Sequence, residues 1–356
     1  MISIGILAWN EERSIATTLQ GIFDQSLLKA KSTGNRKIEI IIVANGCTDQ
    51  TAQIAQTALD QDTSGSEEIS GQVVELTESG KINAWNAFIH QHSHPDTEIF
   101  ILVDADIKFL HENTLQNMTD LLLNKPEIAV ATDHPVKHIE LQENYSLRDR
   151  ISLAVSRMTK AAPGQLTGQL YAARACALRQ AVLPKGLIVE DGFLKQFLCT
   201  TAFTQPLNND LIQCAPNAAH VFEAYLSIGD ILPNQRRQAV GHTLNRLLQN
   251  SLLQKTKSGQ SAEDFLKEQH QSNPQWFIRE IEEYITYGGW WVVFPGALTF
   301  RWKRFMRMPG IKKIPYFPVV CVAWCIDIIS SIWANQTLKS GAFMNVWKDT
   351  KTDSLS

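Results

Sequence analysis

The chain has 356 residues, enough for one large α/β domain with an appendage or for two domains, since compact domains run roughly 100 to 200 residues. Its 33 Lys and Arg stand against 36 Asp and Glu, and a net charge of -3 excludes a global field that would recruit nucleic acid, so any basic patch must be local. Six scattered cysteines without a CxxC pair give no disulfide framework, and a reducing compartment fits.

The apolar start, Ile2 to Ala8, is cut off by Asn10, Glu11 and Glu12 and has no basic leader, which predicts a first strand and a cytoplasmic N-terminus. Ile38 to Ala44 and Ile99 to Val103 repeat the type. Short Ile and Val runs bounded by Asn, Gly and Asp suit strands buried on both faces of a parallel sheet. Helical patterns fall between them: Ser14 to Leu28 puts Ile15, Thr18, Leu19, Ile22 and Phe23 on one stripe, and Thr51 to Leu59 and Lys81 to His90 follow the next turns. Strand and helix in alternation predict a doubly wound α/β fold that holds ligands at the carboxyl ends of its strands. Asp60 to Gln72, rich in Ser and Gly, reads as a solvated loop. After about residue 250 the composition turns polar, and then apolar and Trp-rich, which divides the chain into a catalytic domain over 1–250 and a C-terminal helical region over 251–356.

Asp104 and Asp106 follow the third apolar run directly. Two hard oxygen donors at the ligand edge of a sheet can hold Mg²⁺ or Mn²⁺ against a diphosphate, although an aspartate after a strand also caps turns. Asn45-Gly46-Cys47-Thr48-Asp49 follows the second run, and Ser79-Gly80-Lys81 opens the helix before the third. Glycine admits close backbone approach, Lys81 is a point charge for phosphate, and a helix start offers free N–H groups. Their plain alternatives are an N-capped turn and a surface lysine. In the second half, Glu190-Asp191 ends an apolar run and supplies the carboxylates that general-base chemistry requires, or else a helix cap.

Together these segments resemble the family 2 glycosyltransferases. ILAWNEERSIATTLQGIFDQS is similar to their opening segment, NGCTDQT to their base-recognition turn, SGKINAWNAF to their lysine and asparagine helix, and LVDADI to their metal motif. GQLYAARACAL resembles their acceptor-side segment and VEDGFL their Glu-Asp pair, in matching order across roughly the first 240 residues. The resemblance implies a GT-A fold, a nucleotide-sugar donor, a hydroxyl acceptor and a divalent cation. It assigns Ala8, Trp9, Asn10, Glu11, Asn45, Asp49, Lys81, Asn86 and Asp104 to the donor, Asp104 and Asp106 to the metal, and Asp191 to the base with Glu190 beside it. His220, like His242, lies where some relatives add a metal ligand. The family's QxxRW motif is replaced by Gln235-Arg236-Arg237-Gln238-Ala239, which argues against processive polymer synthesis and leaves Arg236 and Arg237 either for the leaving diphosphate or as a solvated pair on a helix.

His90, His92 and His94 alternate as zinc ligands can, but the following Pro95 makes a surface loop the better reading. In the tail, Trp290, Trp291, Trp302, Trp324 and Trp333 interleave with Arg301, Lys303, Arg304, Arg307, Lys312 and Lys313. Aromatic and basic residues together suit an anionic membrane surface and a lipid or lipid-linked acceptor, with the protein peripheral or monotopic at the cytoplasmic face. Pro315, Pro318 and Asp327 favour shallow insertion or a re-entrant hairpin over a span, and core helices are the alternative. A sugar-phosphate nucleotidyltransferase would want a Gly-rich loop after the first strand, where AWNEERS has none. A dehydrogenase would want G-x-G-x-x-G. A silent scaffold of the same fold would have no use for Asp104, Asp106 and Asp191.

Overall fold

The computed structural model describes residues 1–29, 36–63, 67–146, 149–150, 152–153, 164–225, 227–308 and 310–345. An eight-stranded sheet is built from β1 (Ile2–Ala8), β2 (Ile38–Asn45), β3 (Ile69–Leu76), β4 (Ile99–Asp104), β5 (Lys108–Phe109), β6 (Val130–Lys137), β7 (Leu170–Arg174) and β8 (Ile212–Phe222). Its spatial order is β3-β2-β1-β4-β7-β6-β8-β5. β3, β2, β1 and β4 run parallel, and β7 pairs antiparallel with both β4 and β6. Ala8 lies opposite Ala44 and Leu7 opposite Asp104, so β1, β2 and β4 end level at one edge. From β1 the chain moves outward to β2 and β3 and then crosses back to β4 on the other side of β1, and that switch point opens the crevice used by doubly wound folds.

Side chains alternate across the sheet into two cores. Ile4, Ile6, Ile40, Ile42, Ile101 and Val103 pack under α1 (Ile15–Phe23), α2 (Thr51–Thr63) and α4 (Thr114–Asn124). Ile41, Val43, Phe100 and Leu102 face the other way, under α3 (Lys81–Ala87) and α5 (Glu190–Cys199). Gly5 is required at the centre of β1: a Cβ there would lie 2.5 Å from the buried Phe88 ring.

The sequence reading and the structure part at three places. Residues expected in the Asp60 to Gln72 loop contribute to α2 and to β3, an edge strand whose mostly half-exposed residues give no apolar run to read; residues 64–66 of that stretch lie outside the described residues. The helix expected over Ser14 to Leu28 is interrupted after Phe23, where Asp24 closes it. The division at residue 250 falls inside one continuous helix, α6 (Ile228–Lys257). Beyond it come α7 (Ala262–Ser272), α8 (Trp276–Tyr287), α9 (Gly296–Met306) and α10 (Gly310–Lys339). Val240, Leu244, Leu248, Phe277, Ile281 and Leu338 share one buried cluster with Ile41 and Val43 of the sheet, so the C-terminal helices close the sheet's own core.

α9 and α10 form a hairpin against α6. Arg301 reaches Asp327 at 2.8 Å and Gln235 Oε1 at 3.1 Å, and the Trp324 indole N–H donates to the Leu298 carbonyl at 3.0 Å. The outer face is apolar: Trp290 is 84% exposed, Ile314 78% and Val322 61%. Tyr316–Lys339 is long and apolar enough to cross a membrane by length and composition, and 28% of its apolar 18-residue stretch is buried. α10 continues through Pro318 as one helix, and the side chains of Lys312 and Pro315 lie outside those described.

Candidate active site

The level edge of β1, β2 and β4 gathers the sequence motifs. After β1 the chain turns at Asn10, whose φ of 52° is the left-handed conformation that Asn tolerates better than most residues. Its side-chain oxygen accepts from the Thr48 N–H at 2.7 Å, tying the opening segment to the turn after β2. Gly46 has φ 64°, and a Cβ there would sit 2.8 Å from the Ser79 backbone nitrogen, so the two loops touch main chain to main chain. Asp49 accepts from Thr51 N at 3.1 Å and from Glu12 N at 3.2 Å, which makes it the cap of α2 and a brace on the opening segment. Asn45 is buried, with its side-chain oxygen lacking a partner. Ala8 is buried and Trp9 half-buried at the mouth.

Asp104 ends β4. Its Oδ1 accepts from Lys81 Nζ at 2.8 Å, and the same ammonium donates to Glu190 Oε1 at 2.9 Å and to the Gly168 carbonyl at 3.1 Å. Burial opposes the lysine's charge, but the two carboxylates outweigh it and hold Lys81 well above its ordinary range. Burial also pushes Asp104 up to about 6 against the pull of Lys81. Asp106 reaches solvent beside Glu11; the surrounding protein and that second carboxylate raise its affinity for a proton. A carboxylate so placed is relieved by any cation, and hard oxygen donors suit Mg²⁺ or Mn²⁺. With one oxygen of Asp104 held by Lys81, Asp106 is the freer ligand.

Glu190 and Asp191 form the first turn of α5. Asp191 is pushed up to about 6 by burial and by the neighbouring charge of Glu190. Three contacts fix this helix start: Asn245 Nδ2 donates to the Val189 carbonyl at 2.9 Å, a Cβ on Gly192 would lie 2.8 Å from that amide, and one on Gly241 would lie 2.3 Å from Val189. Beneath the site, the Trp85 indole donates to the Tyr171 hydroxyl at 2.8 Å, with both rings buried.

A family model described as glycosyl transferase family 2 matches residues 3–185, just over half of the chain. The chain belongs to that family. The transferase is similar in structure to the mannosyltransferase from Pyrobaculum calidifontis in complex with GDP-Man and Mn²⁺, with TM-score 0.55 and 17% identity over 94% of this chain and 86% of that one. A second similar structure is glucosyl-3-phosphoglycerate synthase from Mycobacterium tuberculosis in complex with Mg²⁺ and UDP, at TM-score 0.41 and 19% identity over 63% and 72%. The first likeness fixes the fold as GT-A. Searching curated proteins finds no match to the sequence.

Several residues assigned from sequence have other work in the transferase. The Asn86 amide donates to the Leu183 carbonyl at 2.8 Å and accepts from the Leu183 N–H at 3.1 Å, so both its ends are engaged with backbone and it acts as a buried strut. His220, fully buried, has Nδ1 2.6 Å from Asp133 Oδ2 and Nε2 3.3 Å from Gln169 Oε1. Both ring nitrogens are thus engaged by side-chain oxygens, although the ring lies close enough to Asp106 to act on its charge, and among the described residues no group of three or more possible metal ligands occurs. Arg236 turns away from the site and lies over the Trp333 ring, whereas Arg237 acts electrostatically on Asp191. His90 Nε2 meets the Ala181 carbonyl at 2.9 Å, a backbone contact in place of a zinc cluster. Two residues escaped the sequence reading. Gly168 was read only as the start of the GQLYAARACAL segment, with no contact assigned to its carbonyl, and Tyr225, in the field of Arg237, Asp106 and Asp104, stands outside any motif.

Proposed function

We propose that the protein moves a sugar from a nucleoside-diphosphate sugar, UDP-linked in the first instance, to a hydroxyl of a lipid or lipid-linked acceptor, with inversion and one sugar per encounter. The observation that carries this reading is the convergence of Asp104, at the end of β4, and Glu190, at the start of α5 and next to Asp191, on one ammonium, Lys81. Donor-side and acceptor-side acids thereby share one site. Asp191 takes the acceptor proton while the acceptor oxygen bonds to the anomeric carbon, and the bond from that carbon to the diphosphate oxygen breaks with its electron pair leaving on the diphosphate. Arg237 faces the charge that develops, and Trp9 walls the donor base. A divalent cation, Mg²⁺ or Mn²⁺, held by Asp106 with Asp104 behind it, would neutralise the diphosphate.

The exposed apolar face of α9 and α10 supports a position at the anionic cytoplasmic face of a membrane. Trp and aliphatic side chains there lie beside Lys303, Arg304 and Arg307. Each basic residue near such a surface contributes about 1 kcal/mol, and each buried methylene about 0.8 kcal/mol. Diphosphate release from a panel of UDP and GDP sugars with Mn²⁺ tests the chemistry, and no release from any donor sinks it. Flotation of the full-length chain with liposomes of rising anionic content tests the surface; a detergent-free monodisperse protein that ignores them makes a soluble acceptor the better reading.

A further inference from the structure

Lys81 is placed where the family resemblance would put a phosphate contact, yet its ammonium is already saturated. Its three protons face three acceptors, Asp104 Oδ1 at 2.8 Å, Glu190 Oε1 at 2.9 Å and the Gly168 carbonyl at 3.1 Å, and its side chain is 16% exposed. An ammonium has no fourth proton to give a diphosphate. The three acceptors come from different parts of the chain: the end of β4, the start of α5 and the loop before β7. Gly168 adds an independent sign that the position of Glu190 is enforced, because a Cβ there would lie 2.7 Å from Glu190 Oε1 and 3.5 Å from Lys81 Nζ.

We propose that Lys81 is a positioning residue: it fastens Glu190 to the donor edge and so leaves the adjacent Asp191 directed at the acceptor. This rests on the transferase reading. The two residues leave the first turn of α5 in different directions, and holding one sets the other. Glu190 is nearly enclosed, with its side chain 7% exposed, so without the lysine its carboxylate loses its cation and swings out, and Asp191 moves with the backbone. A shift of about 1 Å at a reacting group costs about a hundredfold in rate.

The test compares full-length K81M, E190Q and the double variant K81M/E190Q with wild type by calorimetric binding of UDP and GDP with Mn²⁺, by thermal unfolding and by turnover at saturating donor. K81M is expected to bind nucleoside diphosphate within about threefold of wild type while turnover falls about a hundredfold. Adding E190Q, which removes the stranded charge, recovers about tenfold of that turnover and part of the lost unfolding midpoint. Diphosphate affinity weakened by about tenfold or more in K81M, with no recovery in the double variant, would make Lys81 a phosphate ligand and overturn the proposal. Should K81M not fold, G168A serves, since its methyl displaces Glu190 and leaves the lysine charged: turnover falls with diphosphate affinity kept, and unchanged turnover overturns the proposal. A wild type that uses no nucleotide sugar sinks the transferase reading alone, and recovery of the unfolding midpoint still decides the clamp.

Discussion

The guanidinium of Arg236 lies 4.0 Å from the centre of the Trp333 ring, joining α6 to α10, while its neighbour Arg237 acts on Asp191. Arg236 is buried while Trp333 stays 36% exposed, so the contact is partly desolvated, and such cation–π contacts contribute roughly 1 kcal/mol. Trp333→Leu, which keeps apolar bulk but removes the π face, is expected to lower stability by about that amount in a denaturant melt. An unchanged midpoint would show that the stacking contributes nothing.

Asp106→Asn is expected to abolish the Mn²⁺-dependent part of nucleoside-diphosphate binding and leave the fold intact. The residue is exposed, and an amide cannot supply the anionic ligand a hard cation needs. Calorimetry that finds Mn²⁺ and UDP bound as tightly as by wild type refutes the metal assignment.

Asp191 is protonated below about 6 and cannot then accept a proton, so kcat/KM is expected to fall roughly tenfold per pH unit on the acid side of that value. Asp104 titrates in the same range and shares the limb. Asp191→Asn is expected to lose about 10² to 10⁴ in turnover with donor affinity retained. Near-normal turnover would move the base to another group. The same raised carboxyls bind protons more tightly in the folded than in the unfolded chain between about 4 and 6. Their contribution therefore favours the fold as pH drops through that window and is lost above it.

Three successive residues after α5, Thr201, Ala202 and Phe203, have φ of 48°, 52° and 66°. The left-handed conformation costs a residue with a Cβ roughly 1–2 kcal/mol, and Phe203 holds the segment in place by packing against Phe193 and Phe197. Ala202→Gly is expected to raise stability by about 0.5–1 kcal/mol, since glycine removes the strain and returns part of the gain as backbone entropy. The Ala202 methyl packs against the core, so a lower unfolding midpoint would mean that this packing outweighs the strain relieved.

What the sequence made legible follows from burial. β1, β2 and β4 are enclosed on both faces, so their Ile and Val runs stand undiluted, and Asp104 and Asp106 follow at the edge. β3 is an edge strand with most of its residues half in water, and its composition could not be told from a loop. Asn86 and Leu183 are 97 residues apart, and nothing local distinguishes an amide that will meet that backbone from one that will meet a ligand. Likewise the pair Arg236-Arg237 was readable as charge. Which arginine faces Asp191 was settled by the arrival of Trp333 from α10, a contact between distant segments that no local pattern encodes.

The hairpin of α9 and α10 is keyed to α6 at Gln235, Arg236 and Arg301, and α6 in turn braces the start of α5 through Asn245. At the membrane surface proposed for the hairpin, Asp191 would therefore stand at one height above it. On the proposed reading the enzyme would act as a gauge: an acceptor whose hydroxyl projects to that height would meet the base, and one carried on a shorter or longer headgroup would present its hydroxyl to protein wall or to water. Acceptor choice would then be governed by distance from the bilayer as much as by the chemistry of the group that is glycosylated.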